Sequence, residues 1–149
     1  MNDILHHLLL ADDDPDDCIF FKEALEELPL SSTLSTVKDG AELMQWLVAE
    51  RENFPDLLFL DLNMPRKNGL ECLSEIKLLK NLTNLPVIIF TTSFDPAIVD
   101  SLYEKGAHYY VRKPAEFSKL KNVIHKAISL ASKTGKKQPA KENFVLRCE

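Results

Sequence analysis

Five short apolar runs, His7–Ala11, Thr33–Val37, Leu57–Leu60, Val87–Phe90 and His108–Val111, alternate with five stretches of helical periodicity. Several of the runs are apolar at every position, which is how the strands of a parallel sheet covered on both faces read. Pro15–Leu28 sets Cys18, Phe21, Leu25 and Leu28 on one stripe, with Asp14 as its N-cap and Pro15 at the first helical position. Ala41–Ala49 directs Met44, Leu47 and Val48 inward, and Leu70–Lys80 does so with Leu70, Leu73, Ile76 and Leu79. Pro96–Glu104 is opened by Asp95 and stopped by Gly106, and Ala115–Ala131 repeats Phe117, Leu120, Ile124, Ala127 and Ala131 along one face. Strand and helix in five alternations predict an α/β domain, a parallel sheet with helices on both faces. At 149 residues the chain buries enough apolar surface to fold without a metal or a disulfide.

In such sheets ligands bind at the carboxyl ends of the strands. Five Asp occupy six positions after the first run, Asp12-Asp13-Asp14-Pro15-Asp16-Asp17. Asp61-Leu62-Asn63-Met64-Pro65 follows the third run, Thr91-Thr92-Ser93 the fourth and Arg112-Lys113-Pro114 the fifth. Carboxylates ~4 Å apart repel by roughly 4 kcal/mol at an effective dielectric of ~20. A cluster of Asp12, Asp13 and Asp61 therefore raises at least one pKa, unless a cation relieves it. One or two carboxylates, a carbonyl and several waters is how Mg²⁺ prefers to be held. Coordination then remains free for a phosphoryl oxygen, with Lys113 and the Thr91 hydroxyl available to the others. The remaining carboxylate can act as nucleophile and form an aspartyl phosphate.

The motifs LLLADDDPDD, LFLDLNMPRKNG, PVIIFTTS and GAHYYVRKP, in this order, resemble those of the CheY-like receiver domain of two-component response regulators. The spacing agrees, with 30 residues from Asp61 to Thr91 and 22 from Thr91 to Lys113. The resemblance covers residues 4–131 and implies a flavodoxin-like, doubly wound (βα)5 fold with a five-stranded sheet of order 2-1-3-4-5. It also implies the roles. Asp61 is the phosphoacceptor. Asp13 ligates Mg²⁺ directly, Asp12 does so through water, and Asn63 contributes its backbone carbonyl. Thr91 is the switch hydroxyl, Lys113 holds the phosphoryl group, and Lys113-Pro114 is a cis peptide. Tyr110 is either the aromatic switch of the fifth strand or a packing residue. The sequence departs from the family at Thr92, bulkier than the usual small residue, and at Ala115, where many receivers carry an aromatic residue.

The function so implied is a phosphorelay signalling protein, not an enzyme on external substrates. It takes a phosphoryl group from a sensor histidine kinase or a phosphotransfer protein. It then switches a protein-binding face made by the fourth helix, fifth strand and fifth helix. The DDDPDD, LNMPRKNG and TTS variants resemble the single-domain receivers found with phytochrome-type and hybrid kinases. Residues 132–149 read as a basic linker and a short apolar tail with no separate output domain. Phe144–Leu146 either docks, on the domain or on a partner in a homodimer, or stays free.

Charge and motif spacing weigh against the alternatives. Residues 132–149 hold five Lys/Arg against two Asp/Glu, which leaves −8 of the net −5 on the body and disfavours nucleic acid. The amino-terminal apolar run is too short for a membrane span, and three cysteines without CxxC fit a reducing, cytoplasmic setting. Cys18 and Cys72 are expected as inert core thiols, and His6 and His7 at the exposed end of the first strand. Asp12, Asp14, Asp16 and Glu23 match calcium-loop spacing, but Pro15 and Asp17 stand at the fourth position and at the sixth, which needs glycine. A dehalogenase-type phosphatase would want its nucleophile after the first strand and a cap domain. A flavin binder would not place five Asp where the phosphate sits.

Overall fold

Each apolar run forms a strand within one residue of its expected place. The computed structural model describes residues 7–49, 54–135 and 137–147. The elements run β1 (His7–Ala11), α1 (Pro15–Glu26), β2 (Thr33–Val37), α2 (Gly40–Val48), β3 (Leu57–Leu60), α3 (Gly69–Leu78), β4 (Val87–Thr91), α4 (Pro96–Glu104), β5 (Tyr109–Arg112) and α5 (Phe117–Thr134). A 3-10 turn at Lys141–Asn143 and a two-residue strand, β6 (Val145–Leu146), follow.

Alternation along the strands makes two cores. Leu8, Leu10, Phe59, Ile88 and Phe90 face α1 and α5, whereas Leu9, Leu58, Leu60 and Ile89 face α2, α3 and α4. On the first side Phe21, Phe59 and Phe90 meet edge to face, with centroids 4.9 to 6.0 Å apart. The helix starts follow local chemistry. Asp14 accepts from the Asp16 N–H at 2.9 Å with Pro15 behind it, and Asp95 accepts from the Ala97 N–H at 3.0 Å. Asn68 and Glu71 form a reciprocal capping box.

Several expectations are corrected. The sheet has six strands in the order 2-1-3-4-5-6, not five. β5 would otherwise leave its outer backbone groups unpaired, and β6 pairs with it in parallel, Tyr110 opposite Val145 and Val111 opposite Leu146. The tail thus docks on its own domain. Val48 is exposed, because the inward face of α2 is Gly40, Leu43, Met44 and Leu47 and position 48 falls one step past it. α5 starts at Phe117 rather than Ala115, leaves Phe117 at the surface, buries Val123 and Ile128 as well, and runs to Thr134. His7 is buried, not exposed, and His6 and Cys148 lie outside the described residues.

Candidate functional site

The parallel ladder carries the site residues one step beyond their strands. The Asp12 N–H donates to Val37 O at 3.0 Å, the Asp61 N–H to Ala11 O at 3.0 Å, and the Lys113 N–H to Thr91 O at 2.7 Å. Each of the three strand ends is therefore tied to a neighbouring strand by a backbone bond, and their side chains converge. Carboxylate oxygens of Asp12, Asp13 and Asp61 all lie within 4.8 Å of one another, with Asp12 and Asp61 buried and Asp13 exposed. The Lys113 ammonium enters this cluster, donating to Asp12 Oδ2 at 2.6 Å, to Asp17 Oδ2 at 2.8 Å and to Asp61 Oδ2 at 3.4 Å. It also stands 5.5 Å from the centre of the Phe90 ring.

Asp17, on the same ammonium, is not among the site residues that the sequence motifs imply. Its place in the first turn of α1, directly after the acids that end β1, is the signal that could have found it.

Burial pushes the Asp12 carboxyl up to about 6; the bond from Lys113 opposes this and the charge of Asp61 adds to it. For Lys113, burial works against the charged form, but the bonds to Asp12 and Asp17 and the charge of Asp61 outweigh it, so its pKa rises above the ordinary lysine value. The two shifts describe one cluster in which negative charge exceeds positive.

Thr91 ends β4 fully buried, and its Oγ1 has no hydrogen-bond partner among the described residues. A buried hydroxyl without a partner is costly and calls for an explanation at a ligand site. Asn63 is exposed two residues beyond Asp61, and its N–H reaches Asp61 Oδ1 at 3.4 Å. The loop between them and α3 is clasped by two glycines. A Cβ on Gly69 would lie 2.3 Å from Asp61 O, and one on Gly40 would lie 2.0 Å from Lys67 O.

Tyr110 stands apart from the carboxylates. Its ring is buried between Phe94 and Phe144, at 5.7 and 6.3 Å, and its hydroxyl donates to Ser93 O. Burial raises its pKa, partly countered by that bond. Thr92 and Ala115 are both exposed at the rim. No peptide bond among the described residues is cis, so the cis Lys113–Pro114 expected from the resemblance is corrected to trans. Trans is the lower-energy isomer for X–Pro, and with it Lys113 already reaches all three carboxylates. Burial lifts the Cys18 thiol to about 11 and the Cys72 thiol to about 12, which keeps both protonated, as expected of inert thiols.

The donor set is oxygen only, as a hard divalent cation requires, and its excess negative charge is what such an ion would cancel. The residues fit a divalent metal, with the Lys113 ammonium beside it.

Residues 8–125 match the family model of the response regulator receiver domain. The response regulator Rcp1 of Synechocystis sp. (strain PCC 6803) is 33% identical over 121 residues, spanning 78% of this chain and 82% of that protein. A crystal structure of the phosphorylated cyanobacterial phytochrome response regulator RcpA superposes with a TM-score of 0.78 at 31% identity, covering 91% of this chain and 99% of that one. The Mn²⁺-bound form of Rcp1 superposes with a TM-score of 0.77 at 30% identity, with the same coverage of both chains.

Proposed function

The chain belongs to the response regulator receiver family, and from that premise we propose that it takes a phosphoryl group onto Asp61 from the phosphohistidine of a histidine kinase or phosphotransfer protein. The observation that carries this reading is the carboxylate cluster of Asp12, Asp13 and Asp61 at the strand ends, with the Lys113 ammonium paired to Asp12 and Asp61. An Asp61 carboxylate oxygen attacks phosphorus, the P–N bond to the donor imidazole breaks, and that imidazole leaves with the bond's electron pair and takes up a proton. The product is an acyl phosphate, and water attacking phosphorus later returns the carboxylate and inorganic phosphate.

Asp12, Asp13 and Asp61, with the carbonyl of Asn63, would hold Mg²⁺. A bound Mg²⁺ supplies positive charge against the phosphoryl oxygens as negative charge builds on them. Lys113 exchanges a carboxylate for a phosphoryl oxygen. It is already within 3.4 Å of Asp61, so the move is short. The Thr91 hydroxyl gains its missing partner by donating to another phosphoryl oxygen, and this draws the 92–94 loop with it. Tyr110, bonded to Ser93 O in that loop, registers the change at the surface of α4 and β5.

The likeness to RcpA and Rcp1 supports a phytochrome-type kinase as the donor. Among the described residues no helix is long and apolar enough to cross a membrane, which suits a cytoplasmic partner of such a kinase.

The test is acetyl phosphate with Mg²⁺, read by intact mass, beside Asp61→Asn and an EDTA control. One phosphoryl adduct, lost in both controls, is expected. No adduct, together with no NMR response of Thr91 or Tyr110 to beryllofluoride and Mg²⁺, would leave a phosphate-independent docking domain.

A further inference from the structure

The tail is fastened to the domain at points from Gln138 to Leu146. Gln138 Nε2 donates to Tyr103 O at 2.6 Å and to Ala107 O at 2.7 Å, carbonyls at the carboxyl end of α4 and just beyond it. The Tyr103 hydroxyl answers by donating to Pro139 O at 2.7 Å. Lys141 lies 3.3 Å from Asp100 of α4, an exposed pair that contributes little. Phe144 is 1% exposed, its ring edge-on to Tyr103 at 5.2 Å and tilted against Tyr110 at 6.3 Å, and its carbonyl accepts from the Tyr110 N–H at 3.0 Å. Leu146 drops into the opposite core, beside α5.

Tyr110 is thus held from two sides. Its backbone and ring belong to the tail contact, and its hydroxyl belongs to the loop that begins at Thr91. A side chain shared by two contacts makes each contact depend on the other, and such linkage is reciprocal.

We propose that the α4–β5 face is a peptide-docking groove whose resident occupant is the chain's own segment 138–147, and that docking of this segment is linked through Tyr110 to the phosphoryl site. The docked tail orders Tyr110 and the 92–94 loop before the phosphoryl group arrives, so docking favours binding there. A phosphorylated site in turn holds the tail more tightly. The linkage rests on the reading of Asp61 and Thr91 given above.

The experiment uses the full chain with two variants. Phe144→Ala removes the ring against Tyr110, and Gln138→Ala loosens the other end of the tail without touching Tyr110. The first readout is amide exchange at Tyr110, whose N–H is tied to Phe144 O; protection falls in both variants, more in Phe144→Ala. The second is the half-saturating beryllofluoride concentration in Mg²⁺, followed by the Tyr110 ring signals. It rises at least about fivefold in Phe144→Ala and moves the same way in Gln138→Ala. Unchanged exchange at Tyr110 overturns docking. Lost protection with unchanged or tighter beryllofluoride binding overturns the linkage. A wild-type protein that does not saturate overturns the reading of the phosphoryl site and the linkage together, while the exchange readout still decides whether the tail docks.

Discussion

At the amino end of β1, His7 is buried and well partnered. Its N–H donates to Asp56 Oδ2 at 2.9 Å, its ring nitrogen lies 2.8 Å from Ser35 Oγ, and Trp46 packs edge-on at 5.6 Å. Five residues on, at the carboxyl end, Asp12 is equally buried, yet it shares one ammonium with Asp17 and Asp61, and burial has raised its pKa to about 6. Thr91, across the same end of the sheet, has no partner among the described residues. One strand thus joins a polar neighbourhood that is complete to one that is not. Polar groups satisfied by the protein serve the fold. Groups left in surplus or alone mark where a ligand must supply the difference.

The largest effect separating the two ends is expected from Lys113→Met. It strands Asp12 and Asp61 without their counter-charge and should cost roughly 3 kcal/mol in urea melts without divalent metal, partly restored by Mg²⁺. Equal loss with and without Mg²⁺ would break the comparison, because the lysine would then be serving only the fold. His7→Ala is the matching change at the amino end. Losing its hydrogen bond and its packing on Trp46 should cost about 2 kcal/mol, while the rate of phosphoryl uptake from acetyl phosphate stays that of the wild type.

Next in size is a pH effect. Protonated Asp12 is no ligand, so cation affinity must fall as pH drops through about 6. Calorimetric Mg²⁺ titrations should show about tenfold weaker binding at pH 5 than at pH 7.5, since each ion bound displaces one proton below the pKa. The sign for stability is opposite. The folded-state pKa lies above the ordinary 3.8, so without metal this group favours folding when protonated, and that contribution is lost as pH rises from about 4 through about 6. The smallest effect is Thr91→Val. Replacing an unpartnered buried hydroxyl by a methyl should change stability by under about 1 kcal/mol, yet abolish the response of Tyr110 to beryllofluoride by NMR. A large loss of stability instead would mean that the hydroxyl was already satisfied.

The strands and the site acids were legible because parallel strands are apolar throughout and the charges begin where they end. Asp12, Asp13, Asp61, Thr91 and Lys113 each stand at such a break. Asp17 was not legible, since an Asp in the first turn of a helix is ordinary until a cation is seen opposite it. The burial of His7 was hidden because it depends on Trp46 and Ser35, far along the chain. The sixth strand could be read only as an alternative. Val145–Leu146 carries two residues of pattern, and what fixes it is the open edge of β5 together with Gln138 and Tyr103, none of which periodicity reports. The inward face of α2 was misjudged by one position at Val48, the usual error where a nine-residue helix gives little more than two turns of signal.

The two glycines that clasp the loop after Asp61 carry a consequence for how substitutions in this chain would be read. Neither has a charge, a proton to move or an atom in the site. Yet a methyl group at position 69 would have to displace the carbonyl of Asp61 itself, and one at position 40 the carbonyl of Lys67. In a survey of tolerated changes, both positions should score as severely as the acids, for want of room rather than loss of chemistry. A map of intolerance would then draw the active centre wider than the set of groups that react, and its outer boundary would be traced by close packing.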